Sequence, residues 1–419
     1  MKTRLLVWAI VTSAYLFCIS ERLIILSLAS MLLIAIAIRK NPYIFRNVYF
    51  WLTLSVIVYG ISPILVFREE NVRSVMMNIV FTIENCIAIL MFFFKDPIFP
   101  KSNFNNMVGD AFSYPGSILF FWYLLAIGGP INFLSQNYLA RLSLSGVNAY
   151  SRLWLVFISY SLLYQLSRNS RNSRKYDGLA ILVMFMLIAL YNVRSYLILT
   201  GLFLLAVKSK KKTNLGLALV VISIGYIILI VINTFRGNWS NFSLSHLSYA
   251  NFAFTSFGEF INPGAVIQEY LSDSKFKYRF GGTYINLILS IVSGRKEGFL
   301  TPAYQRLQDY YPGYLEAGKG LGYFTFAEGY LNAGYLGVVI HFFLLWAILI
   351  WIATTLSKIE GKMIYVAIPF SILFVRMDLS IVIDVLRFMV IPSYIFKFIS
   401  PNILILFPKK ENAHHRTRD

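Results

Sequence analysis

The sequence predicts an all-α polytopic membrane protein of about twelve transmembrane helices with one large external loop. Three observations carry this: an excess of apolar residues, their arrangement in membrane-length blocks, and the sorting of charge between the blocks. Of 419 residues, 58% are hydrophobic and 14% are charged. Soluble chains carry roughly 45–50% apolar and about 25% charged residues. The apolar blocks are long enough to cross a hydrocarbon core of about 30 Å. They place helices near 5–20, 23–38, 48–67, 74–94, 115–134, 149–166, 178–193, 195–207, 214–234, 334–356, 363–378 and 380–396. The domain division follows: 1–234 with helices one to nine, the external segment 235–333, 334–396 with helices ten to twelve, and a basic tail over 397–419.

A net charge of +19 could suggest nucleic-acid binding. The positive residues instead cluster between apolar blocks, where they fix topology, and no nucleic-acid-binding motif occurs. With both termini inside, 22 of the 38 basic residues fall on the cytoplasmic side. Eight lie at short external loops and eight in 235–333. The apolar run after Met1 lacks a small-residue cleavage site, so it is expected to stay as the first helix. Cys18 and Cys86 lack metal-ligand spacing and are expected as small buried residues.

All eight basic residues at the short external loops are arginine: Arg22, Arg68, Arg73, Arg141, Arg152, Arg194, Arg376 and Arg387. Arginine keeps its charge when partly buried and grips phosphate or carboxylate through a fixed fork of donors. The plainer alternative is snorkelling or pairing with a nearby acid, as Asp384 could do for Arg387. Lysine-rich anchors flank Arg194 on both sides, so the chain must cross and return with Arg194 at the turn. The arms are about 24 Å and 20 Å long, which sets the charge below the membrane surface. An anionic ligand would offset that cost, and so would a fixed carboxylate such as Glu84.

Residues 235–333 contain amphipathic runs near 247–271 and 283–293 that suit an interface. The far end is rich in glycine, from Gly318 to Gly337. If 326–337 is helical, Glu328 and Asn332 share a face. The alternative is a glycine-rich packing helix with Glu328 as a solvated cap.

The run Ala327-Glu328-Gly329-Tyr330-Leu331-Asn332-Ala333-Gly334-Tyr335-Leu336-Gly337 resembles the pattern of bacterial O-antigen polymerases of the Wzy type. The stretch 278–294, beginning Tyr278-Arg279-Phe280-Gly281-Gly282-Thr283, resembles the segment that precedes it, although Ile291 to Arg295 replaces the family's Ile-Pro-Arg ending. Arg194-Ser195 resembles the arginine of the family's preceding hairpin. The resemblance implies a fold like that of the GT-C integral-membrane glycosyltransferases. It also implies an enzyme of the bacterial inner membrane, with both termini cytoplasmic and a periplasmic active site. Its substrates would be undecaprenyl-diphosphate-linked oligosaccharide repeat units. Expected partners are the lipid bilayer and the chain-length regulator and flippase of the same pathway.

The chemistry needs positive charge for the leaving diphosphate, a base for the attacking hydroxyl, and alignment of both reactants. No Asp-x-Asp pair or metal-spaced cluster is present, so neither metal nor cofactor is expected. Arg194, Arg236 and Arg279 are the diphosphate candidates, with Arg141 and Arg295 behind them. Glu328 is the base by family position, with Glu259 and Glu269 as alternatives; Tyr330, Asn332, Gly334 and Gly337 would shape the site. His246 is a weak candidate, and His341 reads as a packed or hydrogen-bonded histidine.

Two rivals stand beside this reading. An O-antigen ligase would share the architecture but is expected to carry histidine where Glu328 stands. A flippase or other transporter could use Glu84, Arg376, Asp378, Asp384 and Arg387, yet no internal repeat is visible.

Overall fold

The computed structural model describes residues 2–94, parts of 201–224, 249–273, 277–293, 302–313, 322–357, 361–379 and 390, with backbone alone for 249–260, 290–293 and 361–363. The described residues are helical and contain no strand. We number the principal helices α1 (Lys2–Phe17), α2 (Arg22–Lys40), α3 (Val48–Val56), α4 (Glu70–Phe93), α5 (Tyr249–Ser272), α6 (Gly282–Ser293), α7 (Pro302–Tyr310), α8 (Thr325–Ser357) and α9 (Ala367–Arg376). Three of them, α2, α4 and α8, are long and apolar enough to cross a membrane, with mean hydropathy of 2.2, 1.9 and 2.5.

Side chains sort as they do in a membrane helix bundle. Large apolar residues of α1 and α2 face outward, including Leu6, Ile10, Ile24, Leu28 and Met31. Water-soluble surfaces rarely carry so continuous an apolar area. Polar groups turn inward and pair between helices. Trp8 donates to Asn85 at 2.9 Å and Tyr15 to Asn78 at 3.0 Å, tying α1 to α4. Ser30 of α2 donates to the buried carboxylate of Glu84 in α4. The first apolar run is thus an integral helix of the bundle. Cys86 is buried, but Cys18 follows the end of α1 and is exposed, because it caps the run instead of lying inside it.

The helix ends fall into two groups. At one end, Lys40 donates to the carbonyls of Met91 (3.1 Å) and Phe94 (2.8 Å), placing a cation on the carbonyl terminus of α4. Arg46 caps the helix ending at Ala206 and Val207 in the same manner, at 2.8 and 3.2 Å. Arg22 lies at the opposite end, over the Tyr15 ring. Asn78 and Tyr335 are there too, joined by a 3.3 Å hydrogen bond.

After Val56, α3 widens into a π turn (Ile57–Ile61) and closes with Ser62–Ile64. Pro63 then meets α5 at Gly264, where an added Cβ would lie 2.4 Å from the proline ring. Only glycine permits so close a crossing.

Helix α8 is not continuous. Ala333 (φ −155°, ψ 35°) and Gly334 (φ 59°, ψ −144°) break it into 325–332 and 335–357. The first piece folds back along the second. Thr325 Oγ1 reaches His341 Nε2 at 2.8 Å, and an added Cβ on Gly337 would lie 2.0 Å from the Gly329 carbonyl oxygen. Residues 326–337 are thus not one helix: the span expected near 334–356 is the second piece, and the first is a separate short helix. It ends at Asn332 because Gly334 takes a conformation open essentially to glycine alone, while Gly329 and Gly337 let the two backbones touch. Gly337→Ala is expected to cost about 1–3 kcal/mol through overpacking. It should lower the melting temperature in detergent, whereas Gly216→Ala, whose nearest neighbour would be 3.7 Å away, should leave it unchanged.

Candidate active site

The helical hairpin sets a polar cluster against the loop that leads into α6. Glu328 is 1% exposed. Its Oε1 accepts from Thr283 Oγ1 at 2.8 Å and its Oε2 from the backbone N–H of Leu379 at 3.2 Å. Asn332, one turn on, donates from Nδ2 to Thr283 Oγ1 (2.6 Å) and to the Glu328 carbonyl (2.8 Å). Its Oδ1 accepts from the N–H groups of Gly281 (3.1 Å) and Thr283 (3.4 Å). The anticipated shared face of Glu328 and Asn332 is present. Glu328 is a buried hydrogen-bonded group and not a solvated cap.

The loop itself is strained. Gly282 N donates to the Arg279 carbonyl at 2.8 Å, closing a turn whose central residues, Phe280 (φ 44°) and Gly281 (φ 86°), both have positive φ. That is the pattern of a type I′ turn, which usually places Asn or Gly at the first central position. Phenylalanine there costs on the order of 1–3 kcal/mol. The turn is held by the N–H groups of Arg279 and Phe280, which donate to the carbonyls of Leu331 and Asn332, each at 2.9 Å. The Phe280 side chain is 82% exposed.

Around this junction, Tyr278 packs edge-on to Tyr330 with ring centres 6.0 Å apart, and Tyr330 packs on Tyr335 at 5.5 Å. The Tyr278 hydroxyl would lie 3.6 Å from a Cβ on Gly334. Both ring nitrogens of His341 are engaged, Nε2 with Thr325 and Nδ1 with the Tyr284 hydroxyl at 2.9 Å. His341 is thus a packed, hydrogen-bonded histidine that pins α6 to the hairpin.

On the outer side of the loop lies a cleft of about 270 Å³. Among its described lining residues are Asp273, Lys277, Arg279, Gln305, Asp309 and Tyr310. Arg279 Nη1 donates to Gln305 Oε1 at 2.7 Å. Arg306, 2% exposed, forms the floor. It holds both oxygens of Glu269 at 2.6 Å and the Gly322 carbonyl at 2.9 Å. Burial opposes its charge, but the Glu269 carboxylate outweighs burial and holds the guanidinium above its ordinary range. Tyr311 also donates to Glu269, at 2.9 Å. Burial, with the hydrogen bond and charge of Asp273, pushes the Tyr310 phenol up to about 12.

The segment 322–324 is clamped from three sides. Arg306 holds the Gly322 carbonyl, Tyr323 N donates to the Arg376 carbonyl at 2.8 Å, and Phe324 N donates to the Pro263 carbonyl at 3.0 Å. Asp378 accepts from Ala303 N at 3.1 Å, placing a carboxylate at the N-terminus of α7.

Of the residues singled out in the sequence, Glu328, Asn332, Tyr330, Gly334, Gly337 and Arg279 come together here. Arg141, Arg194, Arg236, Arg295, His246, Asp384 and Arg387 lie outside the described residues, as does the side chain of Glu259. Glu269 is committed to its ion pair with Arg306, which fits a structural carboxylate better than a base. Sequence reasoning missed Thr283, Arg306, Asp273, Gln305 and Asp309. For Arg306 a signal was present: an arginine on the inward face of a short amphipathic helix opened by Pro302. Among the described residues, no group of three or more His, Cys, Asp and Glu could hold a metal ion. Comparison with protein-family models, with curated proteins and with solved structures finds no match.

Proposed function

We propose that this chain is a glycosyltransferase of the O-antigen polymerase type. It would have about twelve spans in a GT-C-like arrangement and lengthen undecaprenyl-diphosphate-linked oligosaccharides on the periplasmic face of the inner membrane. One observation carries the reading. The two stretches that resemble the polymerase pattern, 278–294 and 327–337, are bonded to each other through Thr283, Glu328 and Asn332, beside a polar cleft.

In the proposed reaction an acceptor hydroxyl attacks the anomeric carbon, the bond to the diphosphate breaks, and the configuration inverts. Glu328 takes the hydroxyl proton. Arg194 and Arg236, with Arg141 and Arg295 behind them, meet the departing diphosphate, while Arg279, the third candidate, donates to Gln305 at the cleft. In the present conformation both Glu328 oxygens are covered, and a base must come within hydrogen-bond reach of its proton. Catalysis by Glu328 therefore requires the 279–283 turn to lift from Asn332, and the strain at Phe280 favours that movement.

The test is direct. Protein purified in detergent and given lipid-linked repeat units should produce a ladder of longer glycans unaided. Absence of lengthening would sink the reading, and flipping without lengthening in vesicles would favour a transporter. In cells, deletion should leave single repeat units on the lipid A core; a bare core would indicate a ligase.

A further inference from the structure

From the cleft beside Arg279 we infer that it is a subsite for the uncharged sugar rings of the substrate and does not hold the diphosphate. This rests on the glycosyltransferase reading for the identity of the glycan, but the argument is one of charge and shape. Arg306 is neutralised by Glu269 at 2.6 Å. The other charged residues described in the lining are two cations, Lys277 and Arg279, and two carboxylates, Asp273 and Asp309. A site for a diphosphate concentrates cations and backbone N–H groups and excludes carboxylates, because like charges brought together out of bulk water repel. Here the two signs balance.

The remaining lining suits a polyhydroxylated ligand. Gln305 can donate and accept, the Tyr310 oxygen, whose proton goes to Asp273 at 3.1 Å, can accept, and the carboxylates accept from sugar hydroxyls. Tyrosine rings offer apolar faces to the C–H side of a sugar. Arg279 already donates one N–H to Gln305 Oε1 at 2.7 Å, which fixes the amide and leaves the N–H groups of Gln305 as donors for a ligand. The volume of about 270 Å³ is close to the lower end of small-ligand pockets, which begin at roughly 300 Å³, enough for a monosaccharide. Arg279 lines the cleft at one end of the turn and Thr283 holds Glu328 at the other, so the turn separates a sugar bound there from the proposed base.

Two probes separate a sugar subsite from an anion site. One is the phosphate-free repeat-unit oligosaccharide, released by mild acid from the lipid fraction of the native strain. The other is inorganic pyrophosphate. In an elongation assay the oligosaccharide should inhibit, and Asp309→Asn should raise its inhibition constant about tenfold, the loss of one hydrogen bond to a charged group. The same substitution should leave inhibition by pyrophosphate unchanged. Tighter pyrophosphate binding in Asp309→Asn than in the natural protein would overturn the inference, since removing a carboxylate helps only an anion. So would oligosaccharide inhibition that neither Asp309→Asn nor Tyr310→Phe weakens. If the natural protein does not elongate at all, the parent reading falls. Saturation-transfer NMR with purified protein and the two probes then decides the subsite by itself: signal from the oligosaccharide, weakened in Asp309→Asn, supports it, and none sinks it.

Discussion

Replacing Arg306 with alanine is expected to cost about 3–5 kcal/mol of stability, the largest effect of any single substitution considered for this chain. The loss would come from what stays behind. Glu269, itself part-buried, would keep only Tyr311 as a hydrogen-bond donor among the described residues, and the Gly322 carbonyl would lose Arg306. Because Gly322 opens the clamped segment that leads into α8, the damage would spread to the hairpin and to Glu328. Thermal unfolding in detergent measures the loss. Arg306→Lys keeps the charge but not the two-pronged grip, so it should fall between. The double replacement Glu269→Leu with Arg306→Leu should recover much of the deficit, since apolar pairs often match buried ion pairs in stability. A fully stable Arg306→Ala protein would show that the ion pair does not hold these elements together.

Glu328→Gln is expected to lower elongation by about 10²–10⁴-fold, the usual contribution of a positioned base. It should do so with little loss of folding. The glutamine oxygen can face the Leu379 N–H while its amide donates to Thr283 Oγ1, so both contacts survive in altered form. Thr283→Ala tests the other half of the pair. It leaves Glu328 Oε1 and Asn332 Nδ2 without their common partner and should cost about 1–3 kcal/mol, a loss that Thr283→Ser should restore. If Glu328→Gln elongates at the natural rate while Thr283→Ala unfolds the site, Glu328 is a lock for the hairpin and not a base.

Among the described residues helix positions were largely legible because each rests on local pattern; the runs at 115–134, 149–166 and 178–193 lie outside them. The apolar runs at 23–38 and 74–94 correspond to Arg22–Lys40 and Glu70–Phe93, and the amphipathic runs at 247–271 and 283–293 to Tyr249–Ser272 and Gly282–Ser293. Polar residues such as Arg39 and Asn41 mark where lipid-compatible sequence stops. Pairings between distant residues were not legible. Nothing near Glu269 announces Arg306, since an ion pair across two helices leaves no spacing in the chain. The glycines of 329–337 were recognised as permitting close approach, but that Gly329 meets Gly337 follows only from the break at Ala333 and Gly334. The same blindness applies to Glu328. A glutamate near a helix start looks solvated until the Thr283 loop is laid over it.

The doubling-back of residues 325–332 on the helix that follows has a consequence for how this chain is counted. Eight residues of helix reach about 12 Å, less than half the hydrocarbon thickness. Taken as one unbroken helix, Thr325–Ser357 would be a single unusually long span. Its opening quarter instead runs back along the remainder, adding apolar length without adding a traverse. A reporter fused shortly before Gly322 and one fused at Gly334 should therefore give the same sidedness, and the parity of every later crossing is untouched.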